Sequence, residues 1–91
     1  MWHVYMAKCS DGSLYTGVTT DIRRRMNEHN AKRGARYTRG RTPVILIHDE
    51  SRSGRSEALR REAEIKSWPR SRKLILIKSG GKKIARSPDN N

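Results

Sequence analysis

Phenylalanine is missing from this sequence, and cysteine occurs once, as Cys9. A single thiol excludes an internal disulfide and a cysteine-based zinc site, and it agrees with a reducing compartment. Acidic residues are scarce: 9 Asp and Glu face 21 Lys and Arg, leaving a formal charge of +12. No apolar run approaches the ~20 residues that a membrane span needs, and no signal-peptide core is present. The expectation is a soluble, cytoplasmic protein with no membrane partner. With 33% hydrophobic residues in a chain of 91, there is apolar material for one small domain and none for a second core. What the composition does supply is a positive field suited to a polyanion, and nucleic acid is the leading partner.

The chain is organised around Leu14 to His29. A β-rich segment from Leu14 through Val18 gives way at Thr20 and Asp21, both usable helix N-caps, to a run with helical spacing. At about 100° per residue, Ile22, Arg25, Met26 and His29 share one stripe, Arg24 points the opposite way and Arg23 lies on the flank. Upstream, Trp2 to Lys8 predicts a strand with Trp2, Val4 and Met6 on one side and His3, Tyr5 and Ala7 on the other. Asp11-Gly12 between the two segments is a hairpin signal, so the strands are expected to pair antiparallel and to bring Tyr5 near Tyr15.

After a first helix ending near Asn30 or Ala31, Lys32 to Thr42 reads as a basic loop carrying Lys32, Arg33, Arg36, Tyr37, Arg39 and Arg41. Val44 to His48, introduced by Pro43, predicts a strand covered on both faces. Glu50 to Arg55 reads as a turn, and Ser56 to Trp68 as a helix stopped by Pro69. On that helix Glu62 falls on the apolar stripe with Ala58, Leu59 and Ile65, where a carboxylate is costly unless a cation or donor meets it. Arg70 to about Lys78 predicts a last helix burying Leu74, Ile75 and Ile77. The expected organisation is one domain over residues 1–79, then a basic, disordered tail over 80–91.

His3-Val4-Tyr5, Tyr15-Thr16-Gly17, Arg25, His29 and Glu62 stand in an order and spacing that resembles the GIY-YIG nuclease superfamily, over about Trp2 to Ile77. The stretches CSDGSLYTGVT, ARYTRGRTPV and SEALRREAEIK are similar to its small stand-alone bacterial members of the UPF0213 type. This sequence has His3 where the first motif carries glycine, and no equivalent of the late asparagine of some members.

The resemblance implies an α+β fold, a three-stranded antiparallel sheet flanked by helices, and metal-dependent hydrolysis of DNA phosphodiesters. It implies one Mg²⁺ or Mn²⁺ ion on Glu62, Tyr5 as general base, Arg25 as the bidentate phosphate ligand, and Tyr15 and His29 as groups that position water or relay a proton. Arg24, Lys32, Arg33, Arg36, Tyr37, Arg39 and Arg41 are the expected nucleic-acid contacts. Without an appended DNA-binding domain, cleavage is expected to be structure-directed or weakly specific, on branched or single-stranded DNA, unless a partner protein supplies specificity.

Plainer readings exist for each residue. The tyrosines can be strand aromatics, His29 a helix-end cap, the basic loop a solvated one, and Arg25 with Glu62 a buried structural ion pair. The alternative function is a nucleic-acid-binding module with the nuclease fold and little or no catalytic activity; an accessory protein for RNA or anionic surfaces ranks third. A lone carboxylate in a basic cleft favours the enzyme, since it repels phosphate unless a metal intervenes.

Overall fold

The computed structural model describes residues 1–85. Strands β1 (Trp2–Lys8) and β2 (Leu14–Thr19) are followed by helices α1 (Ile22–Asn30) and α2 (Arg36–Arg39), then by strand β3 (Ile45–Arg52) and helices α3 (Arg55–Lys66) and α4 (Arg70–Ala85). The strands form one antiparallel sheet in the order β2-β1-β3. The fold is α+β, a three-stranded antiparallel sheet with helices, as the family resemblance implies. None of the described helices is long and apolar enough to cross a membrane.

The central position of β1 follows from its residues, since Val4, Tyr5, Met6 and Ala7 are all fully buried. Because successive side chains point to opposite faces, one strand feeds two cores. Val4 and Met6 pack with Ala58 and Ile65 of α3, joined by Leu76 and Ile77 of α4 and by Trp68. On the other face Tyr5 and Ala7 pack with Cys9 and Val44, and Ile22 and Met26 of α1 close over them. Cys9 is therefore a small buried apolar residue.

Local chemistry sets the β1–β2 register. Gly12 sits at φ 86°, in the left-handed region open to glycine, and the Asp11 carboxylate accepts hydrogen bonds from the Ser13 N–H and hydroxyl. The resulting register puts Tyr5 opposite Gly17 and Ala7 opposite Tyr15, so both tyrosines face α1. Asp21 caps α1 by accepting from the Arg24 N–H at 3.0 Å. At the other end Lys32 adopts φ 63°. The Arg33 N–H reaches the Glu28 carbonyl and the Lys32 N–H that of His29, a Schellman closure that turns the chain sharply beneath His29.

Expectations for β3, the basic loop and α4 change. β3 is an edge strand and is not covered on both faces: Ile45 and Leu46 are 60% and 37% exposed. Val44 lies outside it, in the second core, where the Asn30 side chain satisfies both its N–H and its carbonyl. The strand also runs through Glu50–Arg52, read from sequence as part of a turn, because Glu50 is paired there by residues distant in the chain. The basic loop contains a helical turn, α2. Along α4 it is Leu76 and Ile77 that pack inward, whereas Leu74 and Ile75 are 44% and 65% exposed. The helix continues beyond Lys78 to Ala85, through the first part of the stretch expected to be a disordered tail; residues 86–91 lie outside the described residues.

Glu50 joins β3 to α3. Its carboxylate accepts from Arg61 at 2.8 and 3.1 Å, from Arg52 at 2.9 Å and lies 2.7 Å from Nε2 of His48. Burial alone raises its pKa, but the Arg61 hydrogen bonds and then His48 outweigh this and hold it at about 2, below the ordinary 4.5. A carboxylate whose pKa is lowered on folding stabilises the fold above its unfolded value, and that contribution disappears as the pH falls through its folded value. Thermal unfolding between pH 5 and 2 is therefore expected to show a falling midpoint (window from about 4.5 to about 2), and Glu50→Gln should flatten that fall at the expense of stability at neutral pH. An unchanged acid profile in the variant would contradict the assignment.

Candidate active site

Tyr5, from the middle of β1, and His29, from the last turn of α1, meet inside the second core. The Tyr5 hydroxyl lies 2.7 Å from Nε2 of His29, and neither residue is exposed. The other ring nitrogen, Nδ1, lies 2.8 Å from the hydroxyl of Thr38, a fully buried residue of α2. That hydroxyl has one proton, which it donates to the Ala35 carbonyl at 2.9 Å. Thr38 must then accept from His29, so the imidazole carries its proton on Nδ1 and presents a lone pair on Nε2 to the Tyr5 O–H. Burial, and after it the Arg25 charge, keeps the imidazole pKa below its ordinary value, favouring the neutral form.

Two glycines make this approach possible. A Cβ on Gly17 would lie 2.7 Å from the Tyr5 hydroxyl oxygen, and one on Gly34 would overlap the His29 ring. Tyr15 completes the cluster, with ring centroids 6.2 Å from Tyr5 and 5.3 Å from His29. Arg25 and Glu62 both act on the Tyr5 phenol. Burial pushes the phenol up to about 12, Arg25 works against this through hydrogen bonding and charge, and the negative charge of Glu62 adds to the rise. At neutral pH Tyr5 is thus a protonated phenol between a cation, a neutral imidazole and an acid.

Tyr5, Tyr15 and His29 accordingly meet in one cluster with Arg25 beside the phenol, whereas Glu62, on α3, reaches it only through its charge. Arg25 and Glu62 are not each other's partners. Arg25 donates to Glu28 at 2.9 Å, with its side chain 29% exposed. Glu62, 17% exposed, pairs with Lys66 at 3.0 Å. Among the expected nucleic-acid contacts, Lys32, Arg33, Arg36, Tyr37 and Arg39 are exposed, and Arg24 extends into solvent, 57% exposed, beside Glu28. Arg41 is engaged by Asp11 at 2.9 Å and by the Tyr37 carbonyl at 2.6 Å, so it braces the loop.

Sequence reasoning missed Thr38, Gly34, Glu28 and Lys66. Glu28 and Lys66 carry the helical i+3 and i+4 spacing to Arg25 and Glu62 and could have been found by it. Nothing local marks Thr38 as the partner of His29.

No group of three or more His, Cys, Asp or Glu side chains able to hold a metal occurs among the described residues. The donor set is one hard carboxylate, Glu62. That fits Mg²⁺ or Mn²⁺, which takes oxygen ligands, keeps several waters and is commonly held by one or two carboxylates plus substrate phosphate. It does not fit tight binding of a metal by the protein alone.

The chain matches the family model described as the GIY-YIG catalytic domain over residues 1–74. It is 60% identical over 77 residues to a UPF0213 protein of Halobacterium salinarum, covering 85% of this chain and all (100%) of that one. It is 52% identical over 75 residues to a UPF0213 protein of Staphylococcus haemolyticus, covering 82% of this chain and 92% of that one. Among solved structures, it is similar to the solution structure of a UPF0213 protein from Bacillus halodurans, with a TM-score of 0.59, 43% identity, and 89% and 87% of the two chains covered. A protein from E. faecalis gives a TM-score of 0.60 at 38% identity, covering 98% of this chain and 93% of that chain.

The Thr38–His29–Tyr5 chain can be checked without any activity. Thr38→Val leaves a buried N–H without an acceptor, at a cost of ~1–3 kcal/mol in chemical denaturation, and should mix the His29 tautomers seen in long-range proton–nitrogen spectra. Thr38→Ser should keep the wild-type tautomer. Gly34→Ala should cost a similar ~1–3 kcal/mol through overpacking. Wild-type spectra from the valine variant would show that Thr38 does not set the tautomer.

Proposed function

This chain belongs to the GIY-YIG family, a family of nuclease-type catalytic domains, and from that premise we propose that it is a metal-dependent endonuclease hydrolysing phosphodiester bonds in DNA. The observation that carries the reading is the Tyr5 hydroxyl held against the lone pair of a neutral imidazole, with Tyr15 packed on both rings and Arg25 beside the phenol. A buried phenol needs an acceptor in any case; what favours chemistry is that this acceptor is a neutral imidazole with a cation beside the same phenol.

Hydrolysis requires that an attacking water lose a proton, that the extra negative charge on phosphorus be met, and that the leaving oxygen be stabilised. Tyr5, raised to about 12, cannot serve as a standing phenolate. It works as a relay: its oxygen takes the proton of the attacking water while its own proton passes to Nε2 of His29. Arg25 keeps N–H groups beyond the one engaged by Glu28 and meets the phosphate oxygens with them. Glu62 holds the divalent ion, which supplies Lewis-acid charge to the phosphate when bound. Because Tyr5 is closed to solvent, substrate docking must displace half-buried Tyr15 to admit water. Lys32, Arg33, Arg36 and Arg39, with Arg24, bind backbone phosphates, which gives salt-sensitive and weakly sequence-specific affinity. The site of action is the cytoplasm, where Mg²⁺ and DNA are both present.

Purified protein incubated with duplex, single-stranded and branched DNA in Mg²⁺ or Mn²⁺ should cut, and chelation should stop it. Glu62→Gln should lower the rate by at least ~10²-fold, the lower end for a general catalytic contribution, with DNA affinity in chelator unchanged. Salt-dependent binding with no cutting under any metal would leave the binding module as the function. Cutting that survives chelation and the substitution would dismiss Glu62 as the metal ligand.

A further inference from the structure

The aromatic cluster does not stop at Tyr15. Tyr37, from the short helix α2, lies nearly parallel to Tyr15 at an interplanar angle of 24°, offset to a centroid distance of 6.1 Å. The guanidinium of Arg41 stands 4.1 Å from the Tyr37 ring centroid and is held there by Asp11 and the Tyr37 carbonyl. Tyr37 is thus oriented by a braced cation, yet it remains 41% exposed. Arg41 takes one face of the ring and Tyr15 lies offset along it, so what Tyr37 offers a ligand is the part of the ring that these two leave exposed.

Beside it lies an open cavity of about 280 Å³ lined by Leu14, Tyr15, Thr16, Tyr37, Lys66 and Lys73. Its walls are aromatic and aliphatic, and two ammonium groups supply its charge. Lys66 ties it to the candidate reaction centre, because the same ammonium lies 3.0 Å from Glu62. A planar apolar ligand with an anionic neighbour matches that lining, and a nucleotide is such a ligand: base against tyrosine, phosphate against lysine.

We propose that the Tyr37–Lys66–Lys73 cavity is a subsite for one unpaired nucleotide of the DNA strand, next to the phosphate to be cut. The inference rests on the nuclease reading and adds a preference to it. In a duplex both faces of a base are stacked on neighbours, so the platform acts only on a nucleotide that is single-stranded, at a branch or at a frayed end. Stacking tolerates every base because each has a π-face. Selection is therefore by strand state and not by sequence. Lys66 and Lys73 are the cations placed to meet the phosphate of the seated nucleotide.

The test measures binding in chelator, where nothing is cut. Single-stranded oligonucleotides carrying a fluorescent purine analogue, and blunt duplexes of the same sequence, are titrated with wild type, Tyr37→Leu and Tyr37→Phe. Leucine keeps apolar bulk and removes the π-face; phenylalanine keeps the face; thermal midpoints confirm that each variant folds. Wild type and Tyr37→Phe should quench the analogue. Tyr37→Leu should not, and it should bind the single strand about 5- to 100-fold more weakly, the range for one stacked base, with duplex affinity changed less than about twofold. Equal losses on both forms, or none on either, would overturn the subsite. Binding through Tyr37 by a protein that never cuts would remove the nuclease reading and keep the subsite. Metal-dependent cutting of single strands unaffected by Tyr37→Leu would do the reverse.

Discussion

The hydrogen bond between the Tyr5 hydroxyl and Nε2 of His29 joins the middle of the sheet to the end of α1, and the arrangement around it makes sense only if that bond is kept. It requires Gly17 beneath the phenol, Gly34 against the imidazole and Thr38 behind it. Sharp closure of α1 at Lys32 and Arg33 returns the chain so that Thr38 reaches Nδ1. A buried imidazole bonded at both nitrogens is also a stabilising element, since either nitrogen left alone would carry a desolvation penalty. The same contacts that hold α1 and α2 on the sheet thus orient a proton acceptor toward a phenol.

Charge is distributed with equal economy. In a chain of +12, three partly buried acids each have a specific cation. Glu50 takes Arg61 and Arg52 on the α3 side, Glu28 takes Arg25, and Glu62 takes Lys66. The first is an interior clamp on the fold. The other two flank the tyrosine cluster, and each carboxylate there uses its cation within one helix, at i,i+3 or i,i+4. Such partly exposed helical pairs are weak, worth about 0.3–0.5 kcal/mol, so an incoming phosphate or divalent ion can compete for them. A direct Arg25–Glu62 pair would have sealed the site; separate pairs keep both groups available.

Much of this was legible in the residues. Period-two alternation in WHVYMAK and the Asp11-Gly12 turn defined the hairpin, and hydrophobic spacing placed Arg25 and His29 on the inner stripe of α1 and Glu62 on that of α3. That Tyr5, Tyr15 and His29 pack together needed the β1–β2 register and the lie of α1 on the sheet as well, which those local periodicities do not contain. Features that depend on long-range partners were not visible. The length of β3 is set by Arg61 meeting Glu50, its edge position leaves Ile45 and Leu46 exposed although they read as buried, and the helical turn at Arg36–Arg39 is fixed by Thr38 reaching His29. The inward face of α4 also depends on how that helix lies against the sheet, which a short run of consecutive apolar residues does not specify.

The account stands or falls on whether the Tyr5 oxygen takes part in the reaction. Single-turnover cleavage by Tyr5→Phe, at protein concentrations that saturate the DNA, addresses this directly, because phenylalanine keeps the ring and removes only the hydroxyl. The account predicts a fall of ~10²–10⁴-fold in rate, the contribution usual for a positioned acid–base group, with DNA affinity unchanged. Cleavage at the wild-type rate would contradict it, leaving the tyrosine–histidine bond as a strut of the fold and the chemistry to be sought elsewhere.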